Sequence, residues 1–294
     1  MDWTAANRID LDVDRRGDAA WLTAQWQDPH AQTLWVDGHG HVGWADGQVL
    51  VTPVGPRPEP YDQRHAYLLG HLDGVPVFAR VRVPTAEQGR EQCQMVSLRA
   101  VLDEVGDGLV GLAFEAAALA AWHASAGFCP VCGTPTQVAD GGHTRWCPHC
   151  ASELFPRTDP AVIVAVIDAD GRLLLGRQPT WERHRMSVLA GFVEAGESAE
   201  QAVHREIREE VGVPLSDVAY VSSQPWPFPR SLMLAFSAHA ADTQMTGGDG
   251  EIAEARWFTR GELTAAVRDG DLTLPGHHTV ARHLVNGWLH GTLA

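Results

Sequence analysis

The first half of the chain alternates apolar and polar residues over short stretches, and this period of two predicts strands. The alternation is interrupted by Asp-Gly steps, which are turn signals of the hairpin type, at residues 37–38, 46–47 and 73–74. Residues 1 to about 85 are therefore expected to form mainly strands. From Thr85 to Ala126 the apolar spacing lengthens, and the Ala-rich stretch Phe114–Trp122 predicts a largely buried helix.

A second series of elements begins after Pro156. The apolar run Ala161–Ile167, the turn signal Asp170-Gly171 and the run Arg172–Leu175 predict a hairpin. The later expected elements are a strand ending near Gly191, a helix from about Ala199 to Val211, strands around Val218–Ser222 and Leu232–Ala240, and a helix after Pro275. We expect an α+β protein of three domains, over residues 1–124, 125–155 and 156–294.

Four of the five cysteines lie in two C-x-x-C pairs that are separated by 14 residues. They are Cys129, Cys132, Cys147 and Cys150. Two such pairs can hold one tetrahedral ion, and four thiolates leave no position for water, so the spacing predicts a zinc ribbon with one structural Zn²⁺ per chain. A redox C-x-x-C motif, or His143 or His149 in place of one thiolate, explains the pattern less well. The fifth cysteine, Cys93, is expected to be a buried small hydrophobe.

The helix expected over Ala199–Val211 has boundary signals at both ends. Ser198, with Gln201 three residues later, predicts a capping box at the start of the helix. Gly212 stands where a C-terminal cap belongs. The position of this helix is therefore the best defined in the chain.

The same helix carries three clustered carboxylates. Glu206 and Glu210 are four residues apart and Glu209 is their neighbour, so their side chains lie close together on the helix surface. A cation placed between them would relieve their repulsion, and carboxylate oxygens favour Mg²⁺ or Mn²⁺. A helix rich in Arg and Glu is also typical of a solvated face, so the charge pattern alone leaves both interpretations open.

Residues Gly191 to Val213 fill the pattern G-x5-E-x7-R-E-U-x-E-E-x-G-U, in which U is apolar, at every specified position. The segment therefore resembles the Nudix box. This resemblance implies a Nudix fold, in which a mixed sheet lies between helices. It also implies metal-dependent hydrolysis of a nucleoside diphosphate that is linked to another group.

The resemblance also implies roles for individual residues. Glu206, Glu209 and Glu210 would be catalytic and would hold Mg²⁺ or Mn²⁺, and one of them, directly or through the metal, would activate the attacking water. The backbone carbonyl of Ala190 and a Glu on a later loop would complete the metal coordination. For that later ligand Glu251 is preferred over Glu254.

A second signature follows the box, Ser223-Gln-Pro-Trp-Pro-Phe-Pro-Arg-Ser231, and is similar to the S-Q-P-W-P-F-P-x-S array of the NADH pyrophosphatases. Its prolines are expected to hold a loop extended, so that Trp226 and Phe228 present stacking surfaces. A rigid connector, or a polyproline ligand for an SH3-like partner, is the alternative. The resemblance implies cleavage of NADH and NAD⁺ to AMP and the nicotinamide mononucleotide, and removal of NAD caps from RNA 5' ends.

The similarity to this family extends from about Arg99 to the C-terminus and implies an N-terminal Nudix-like domain and a homodimer. In the family, aromatic residues at positions like Phe192 and Phe155 sandwich the nicotinamide, the latter from the partner subunit, so the active site is shared. Phe155 replaces the more usual Tyr, which removes a hydroxyl contact. The expected substrate-binding residues are Arg99, Phe155, Phe192, Gln224, Pro225, Trp226, Pro227, Phe228, Pro229, Arg230, Ser231 and Ala281.

Charge and composition narrow the function further. The net charge of -15 and the lack of any run of cations argue against a general nucleic-acid-binding surface, although a capped RNA end could still enter a local site. We find no apolar run that could span a bilayer and no basic, apolar N-terminal signal, so we expect a cytoplasmic protein without membrane contact. The alternatives are a Nudix pyrophosphatase for ADP-ribose or another dinucleotide, and a non-catalytic zinc-ribbon nucleotide sensor.

Overall fold

The computed structural model describes residues 8–55, 59–82, 94–247 and 250–293. It divides into two compact units. The first contains Ala5–Thr158 and Pro227–Arg230, and the second contains Asp159–Trp226 and Ser231–Ala294. Cys93, which was expected to be a buried small hydrophobe, lies outside the described residues.

The first unit is built on a mixed sheet. Its strands are β1 (Ile9–Asp10), β2 (Gln32–Val36), β3 (His41–Ala45), β4 (Gln48–Val49), β5 (Val51–Pro53), β6 (Ala66–Leu72), β7 (Val75–Val81) and β8 (Gln94–Ser97), and its helices are α1 (Ala19–Trp26) and α2 (Asp107–Ser125). The strand order is β1-β6-β7-β2-β3-β4, with β5 on β2 and β8 on β3. Strands β2 and β7 run parallel.

Two of the predicted Asp-Gly turns are tight hairpin turns in this sheet. Asp46 and Gly47 join β3 to β4 with φ angles of 50° and 76°, and Asp73 and Gly74 join β6 to β7 with 52° and 82°. Positive φ at both central residues is the geometry that an Asp-Gly pair accommodates best. Helix α1 was not predicted, and the Asp18 side chain caps it by accepting hydrogen bonds from the first backbone N–H groups.

Helix α2 contains the predicted Ala-rich stretch and forms part of the core of the first unit. Nine of its residues are buried, among them Leu112, Phe114 and Leu119. By length and composition, α2 is apolar enough to cross a membrane, with a mean hydropathy of 1.2 over its most apolar window. The expectation that no apolar run is long enough was therefore wrong, because the alanines make α2 apolar where close packing requires small side chains.

The cysteine-rich segment also belongs to the first unit. It forms a small antiparallel sheet of β9 (Gln137–Ala139), β10 (Thr144–Trp146) and β11 (Glu153–Leu154), with β10 in the centre. Gly142 precedes β10 with a φ of 104°, and a Cβ there would lie 2.6 Å from the Tyr67 ring on β6. Only glycine allows this close approach of the ribbon to the larger sheet.

The second unit is a mixed sheet between helices, as predicted. Its elements are β12 (Asp159–Ile167), β13 (Leu173–Arg177), β14 (Leu189–Phe192), α3 (Ala199–Val211), β15 (Leu215–Trp226), β16 (Ser231–Ala240), β17 (Glu254–Phe258), α4 (Arg260–Asp269) and α5 (Val280–His290). The order is β15-β16-β12-β13-β17, with β14 paired to β12. Strands β12 and β16 are parallel, and the other pairs are antiparallel.

Alternating residues of β12 supply both cores of this unit. Val162 and Val164 pack with α3 on one face of the sheet. Ile163 and Ala165 pack on the other face, together with residues of α4 and α5. Since side chains of a strand alternate between faces, the continuous apolar run of β12 is explained by burial on both sides. Helix α4 was not predicted, and β15 is longer than expected because it pairs with β16 as far as Trp226.

Candidate functional site

Helix α3 has the predicted boundaries. The Ser198 hydroxyl accepts from the Gln201 N–H at 3.2 Å, and the Ser198 N–H donates to the Gln201 side chain at 2.9 Å, which completes the capping box. Gly212 ends the helix in the left-handed conformation, with φ 73°. Val203 and Ile207 are buried against the sheet. Of the acidic residues of the box, Glu209 is exposed, Glu206 is half-buried and Glu210 is buried.

Glu206 lies directly against the backbone of β14. A Cβ added to Gly191 would lie 1.9 Å from the Glu206 Cδ atom, so a side chain at this position would displace the Glu206 carboxylate. The glycine at the start of the box therefore leaves space for a carboxylate beside the main chain. Ala190, the expected carbonyl ligand, precedes it on the same strand.

Arg205 links the acidic residues of the box. Its guanidinium donates two hydrogen bonds to Glu197, at 2.9 and 2.8 Å, and single bonds to Glu206 at 2.8 Å and Glu209 at 3.1 Å. A fourth acceptor is the backbone carbonyl of Phe192, at 2.8 Å. The planar fork of an arginine suits this arrangement, because its N–H groups point in fixed directions. The sequence led us to expect that Glu197 would either add another oxygen to the metal site or orient Arg205.

The electrostatics of the cluster favour a bound cation. Burial raises the pKa of Glu206, the hydrogen bond and charge of Arg205 oppose this, and the carboxylates of Glu209 and Glu251 raise it further. Glu197 has a lowered pKa, because Arg205 donates to it. The cluster therefore holds more negative charge than its one arginine neutralises, and its donors are oxygens, which suits a hard divalent cation.

Two further acidic residues were candidates for the same cluster. The Glu251 carboxylate is close enough to act on the pKa of Glu206. Glu254 forms an ion pair with Arg177, with 3.5 Å between the charged atoms. The choice of Glu251 as the later metal ligand stays a prediction. Glu210 is only 4% exposed, although it lies on the same helix as Glu206 and Glu209.

The expected Pro-braced loop is mostly a hairpin. Ser223 to Trp226 belong to β15, and Ser231 begins β16, so only Pro227–Arg230 forms the turn. Trp226 is opposite Ser231 in the strand register. Pro225 lies within β15 and is opposite Leu232. Because β15 is an edge strand of this sheet, a proline without a backbone donor is compatible with it. Phe228 in the turn belongs, like Phe114, to the first unit, and the two rings meet edge-on with 5.7 Å between their centroids.

Gln224 has a role that the sequence did not indicate. It is 1% exposed, its amide nitrogen donates to the carbonyl of His278 at 2.6 Å, and its amide oxygen accepts from the N–H of Val280 at 2.6 Å. These bonds fix β15 to the start of α5, where Ala281 lies. The partners are more than 50 residues away in sequence, so no local signal could have revealed them.

The remaining expected substrate contacts lie in both units. Phe192, at the end of β14 in the second unit, is 54% exposed, and Phe155, after β11 in the first unit, is 63% exposed. Arg99 is exposed in a turn after β8, and Ala281 is 6% exposed in α5.

The four cysteines have the geometry of a tetrahedral metal site. Sulfur atoms of Cys132 and Cys147 are 3.5 Å apart, and those of Cys129 and Cys150 are 3.6 Å apart. A tetrahedral zinc ion with Zn–S bonds of about 2.3 Å would place its sulfurs about 3.8 Å apart, whereas a disulfide requires about 2.05 Å. The side-chain and backbone hydrogen bonds with Thr134 lower the pKa of Cys132 to about 5, which favours the ligating thiolate.

Comparisons with known proteins agree with these observations. Residues 30–122 match the NADH pyrophosphatase-like rudimentary NUDIX domain, residues 124–155 the NADH pyrophosphatase zinc ribbon domain, and residues 157–275 the NUDIX domain. The chain is 44% identical over 237 residues to the "NAD-capped RNA hydrolase NudC" of Mycobacterium bovis, which covers 76% of this chain and 75% of the relative. The protein of the same name from Deinococcus radiodurans is 41% identical over 221 residues, or 74% and 75% of the two chains.

A solved NUDIX hydrolase from Nitrosomonas europaea is 20% identical and covers 55% of this chain and 90% of that chain, with a TM-score of 0.43. Because the family matches span the N-terminal domain, the ribbon and the box, and the relatives align over three quarters of their length, the similarity is not confined to one motif. The chain belongs to the Nudix hydrolases and, within them, to the NADH pyrophosphatase family that includes the NAD-capped RNA hydrolases.

Proposed function

We propose that this chain hydrolyses the pyrophosphate bond of NADH and NAD⁺ to AMP and the nicotinamide mononucleotide, and removes NAD caps from RNA 5' ends. The observation that carries the proposal is the cluster of Glu206, Glu209 and Glu251 around the end of β14, organised by Arg205. The relatives that are named NAD-capped RNA hydrolases support the choice of substrate.

The residues that would hold catalytic Mg²⁺ or Mn²⁺ are Glu206, Glu209, Glu210, Glu251 and the carbonyl of Ala190. When bound, the metal neutralises charge on the pyrophosphate and on the leaving phosphate. One of Glu206, Glu209 and Glu210 would accept a proton from the attacking water, and burial, which raises the pKa of Glu206, makes that carboxylate the more basic. Arg205 fixes the carboxylates before substrate arrives, so little reorganisation is needed during the reaction.

Substrate selection would depend on the aromatic residues. Phe192 follows Gly191 directly, so a nicotinamide stacked on its exposed ring would lie close to the carboxylate cluster. Trp226 and its neighbours in the hairpin would bind the rest of the dinucleotide. We further propose that Arg99, Ala281 and the partner subunit's Phe155 complete the site in a cytoplasmic homodimer. The domains would be residues 1–124, 125–155 and 156–294.

Product analysis with each candidate substrate provides the direct test. Purified protein would be incubated with NADH, NAD⁺, ADP-ribose and NAD-capped RNA, with either Mg²⁺ or Mn²⁺, and the products would be separated chromatographically. We expect AMP and the reduced nicotinamide mononucleotide from NADH, and a 5'-monophosphate end from capped RNA. Faster turnover of ADP-ribose than of every nicotinamide substrate would contradict the proposal.

The catalytic assignment has its own test. Glu209→Gln should reduce kcat by at least about a hundredfold while KM changes little, since the lost oxygen serves the reaction more than substrate binding. Glu200→Gln, an exposed substitution in the first turn of the same helix, is the matched control and should retain normal kcat. Near-normal turnover in Glu209→Gln would refute the assignment.

A further inference from the structure

A cavity in the first unit is separate from the carboxylate cluster, which lies in the second unit. Its volume is about 670 Å³, within the range of small-molecule sites. Arg145, His123, Tyr67, Val138, Ala120 and Gln137 line it. Gln137 is exposed, so the cavity opens to solvent, whereas Arg145 and His123 are each 9% exposed and lie at its base.

Arg145 places a positive charge at the bottom of the cavity. Its guanidinium donates to the Thr136 hydroxyl at 2.7 Å, to the Thr136 carbonyl at 3.0 Å and to the His123 Nδ1 atom at 2.8 Å. All three acceptors are neutral, and no carboxylate in the described part of the chain lies within ion-pair distance of Arg145. These bonds occupy three of the five N–H groups of a guanidinium, so two donors remain.

The tautomer of His123 follows from its contacts. Its Nε2 atom donates to the Gly142 carbonyl at 2.7 Å, so Nδ1 must be the acceptor for Arg145 and the ring is neutral. Burial also lowers the pKa of His123 to about 4. His123 therefore holds Arg145 in place and adds no charge of its own.

The charged residues at the rim of the cavity do not change its net positive charge. Arg64 also lines the cavity, but its guanidinium is paired with Asp62 through bonds of 2.7 to 3.1 Å, so this pair is neutral overall. A buried cation is costly unless it is compensated. The cavity thus offers one uncompensated positive charge in a chain whose net charge is -15.

We propose that this cavity binds a small organic anion, with its phosphate or carboxylate group at Arg145 and its apolar part against Val138 and Ala120. The charge of Arg145 selects an anion, and the apolar side chains of Val81, Ala120, Ala124 and Val138 in the lining select an organic one. This site is independent of the pyrophosphatase assignment, because it shares no residue with it.

Binding can be measured by isothermal titration calorimetry on the full-length, zinc-loaded protein without added divalent cation. The probes are inorganic phosphate, benzoate and AMP. In Gln137→Trp, an indole at the mouth should fill the cavity and leave Arg145 in place, while Arg145→Gln removes the charge. Arg8→Gln is the matched control, since Arg8 is an exposed arginine of the same unit that pairs with Asp73.

We expect benzoate or AMP to bind, and we expect both cavity variants to weaken this binding at least tenfold while Arg8→Gln does not. Preference for benzoate would identify a carboxylate ligand, and preference for AMP a phosphate ester. Gln137→Trp decides the outcome if Arg145→Gln does not fold. The proposal is overturned if only inorganic phosphate binds, if no probe binds, or if organic anions bind equally to wild type and to Gln137→Trp.

Discussion

The Arg205 guanidinium donates to the main-chain carbonyl of Phe192 at 2.8 Å, so the side chain that binds the carboxylates of α3 also holds the end of β14. The two elements that would bind metal and nicotinamide are thereby joined through one residue. Its other partners are Glu197, Glu206 and Glu209. A lysine could keep the charge at this position but could not form all of these bonds.

Arg205→Lys should therefore lower kcat for NADH by roughly ten- to a hundredfold, because the carboxylates and Phe192 lose their common anchor. The pKa of Glu206 should also rise, since Arg205 now lowers it, and the acidic limb of the kcat profile should move to higher pH. Steady-state kinetics from pH 5 to 9 would measure both effects. Arg208→Lys, an exposed change on the same helix, is the control. An unchanged profile would show that Arg205 has no positioning role.

Phe192→Ala should reduce kcat/KM for NADH more than for ADP-ribose, which has no nicotinamide ring. A lost stacking contact contributes on the order of 1 kcal/mol or more, or about a fivefold change. Tyr220→Ala, another exposed aromatic residue of the second unit, serves as the control. Equal losses on both substrates would mean that Phe192 supports the fold or contacts the shared adenosine half.

Trp226→Ala should show the same selectivity. Phe228→Ala should also lower stability, because the Phe228 ring packs edge-on against Phe114. Thermal unfolding measured beside the kinetics would separate the two effects. If Phe228→Ala loses neither stability nor selectivity, the turn does not have the role assigned to it.

Removal of zinc should unfold the small sheet of β9, β10 and β11, since the thiolate cluster links its two turns. Metal analysis should find one zinc per chain, and Cys132→Ser should lower the stability of the protein by at least about 1.4 kcal/mol, a tenfold change in the folding equilibrium. Cys93→Ser, outside both C-x-x-C pairs, should change neither the zinc content nor the stability. Freshly purified, active protein without zinc would contradict this prediction.

Glu115 should make stability depend on pH. Burial raises its pKa from 4.5 to about 8, so the folded state keeps a proton that the unfolded state releases between these values. Stability should therefore fall as pH rises from about 5 to 8, by up to about 1.4 kcal/mol per pH unit. Glu115→Gln should flatten this slope in urea unfolding series, and Glu104→Gln, a change outside α2, should not. A slope that is identical in wild type and Glu115→Gln would exclude this origin.

The sequence predicted best what depends on neighbouring residues. The caps of α3, the turns at Asp46-Gly47 and Asp73-Gly74 and the cysteine pairs each involve residues a few positions apart, and each was confirmed. The bonds of Gln224 and Arg145 were not foreseen, because their partners are brought together only by the tertiary fold. The extent of β15 was missed for the same reason, since pairing with β16 overrides the tendency of prolines to end a strand.

Strand β12 carries none of the proposed catalytic groups, yet it determines where they lie. Ala161 is opposite Phe192 of β14 on one side and Met233 of β16 on the other. Sliding β12 by one residue would move both neighbours and turn its two apolar faces over. The strand therefore sets the spacing between the end of β14, where the metal site is proposed, and the hairpin of β15 and β16. A change in the length of the turn Pro227–Arg230 would leave this spacing unchanged, but an insertion within β12 would shift the hairpin relative to β14.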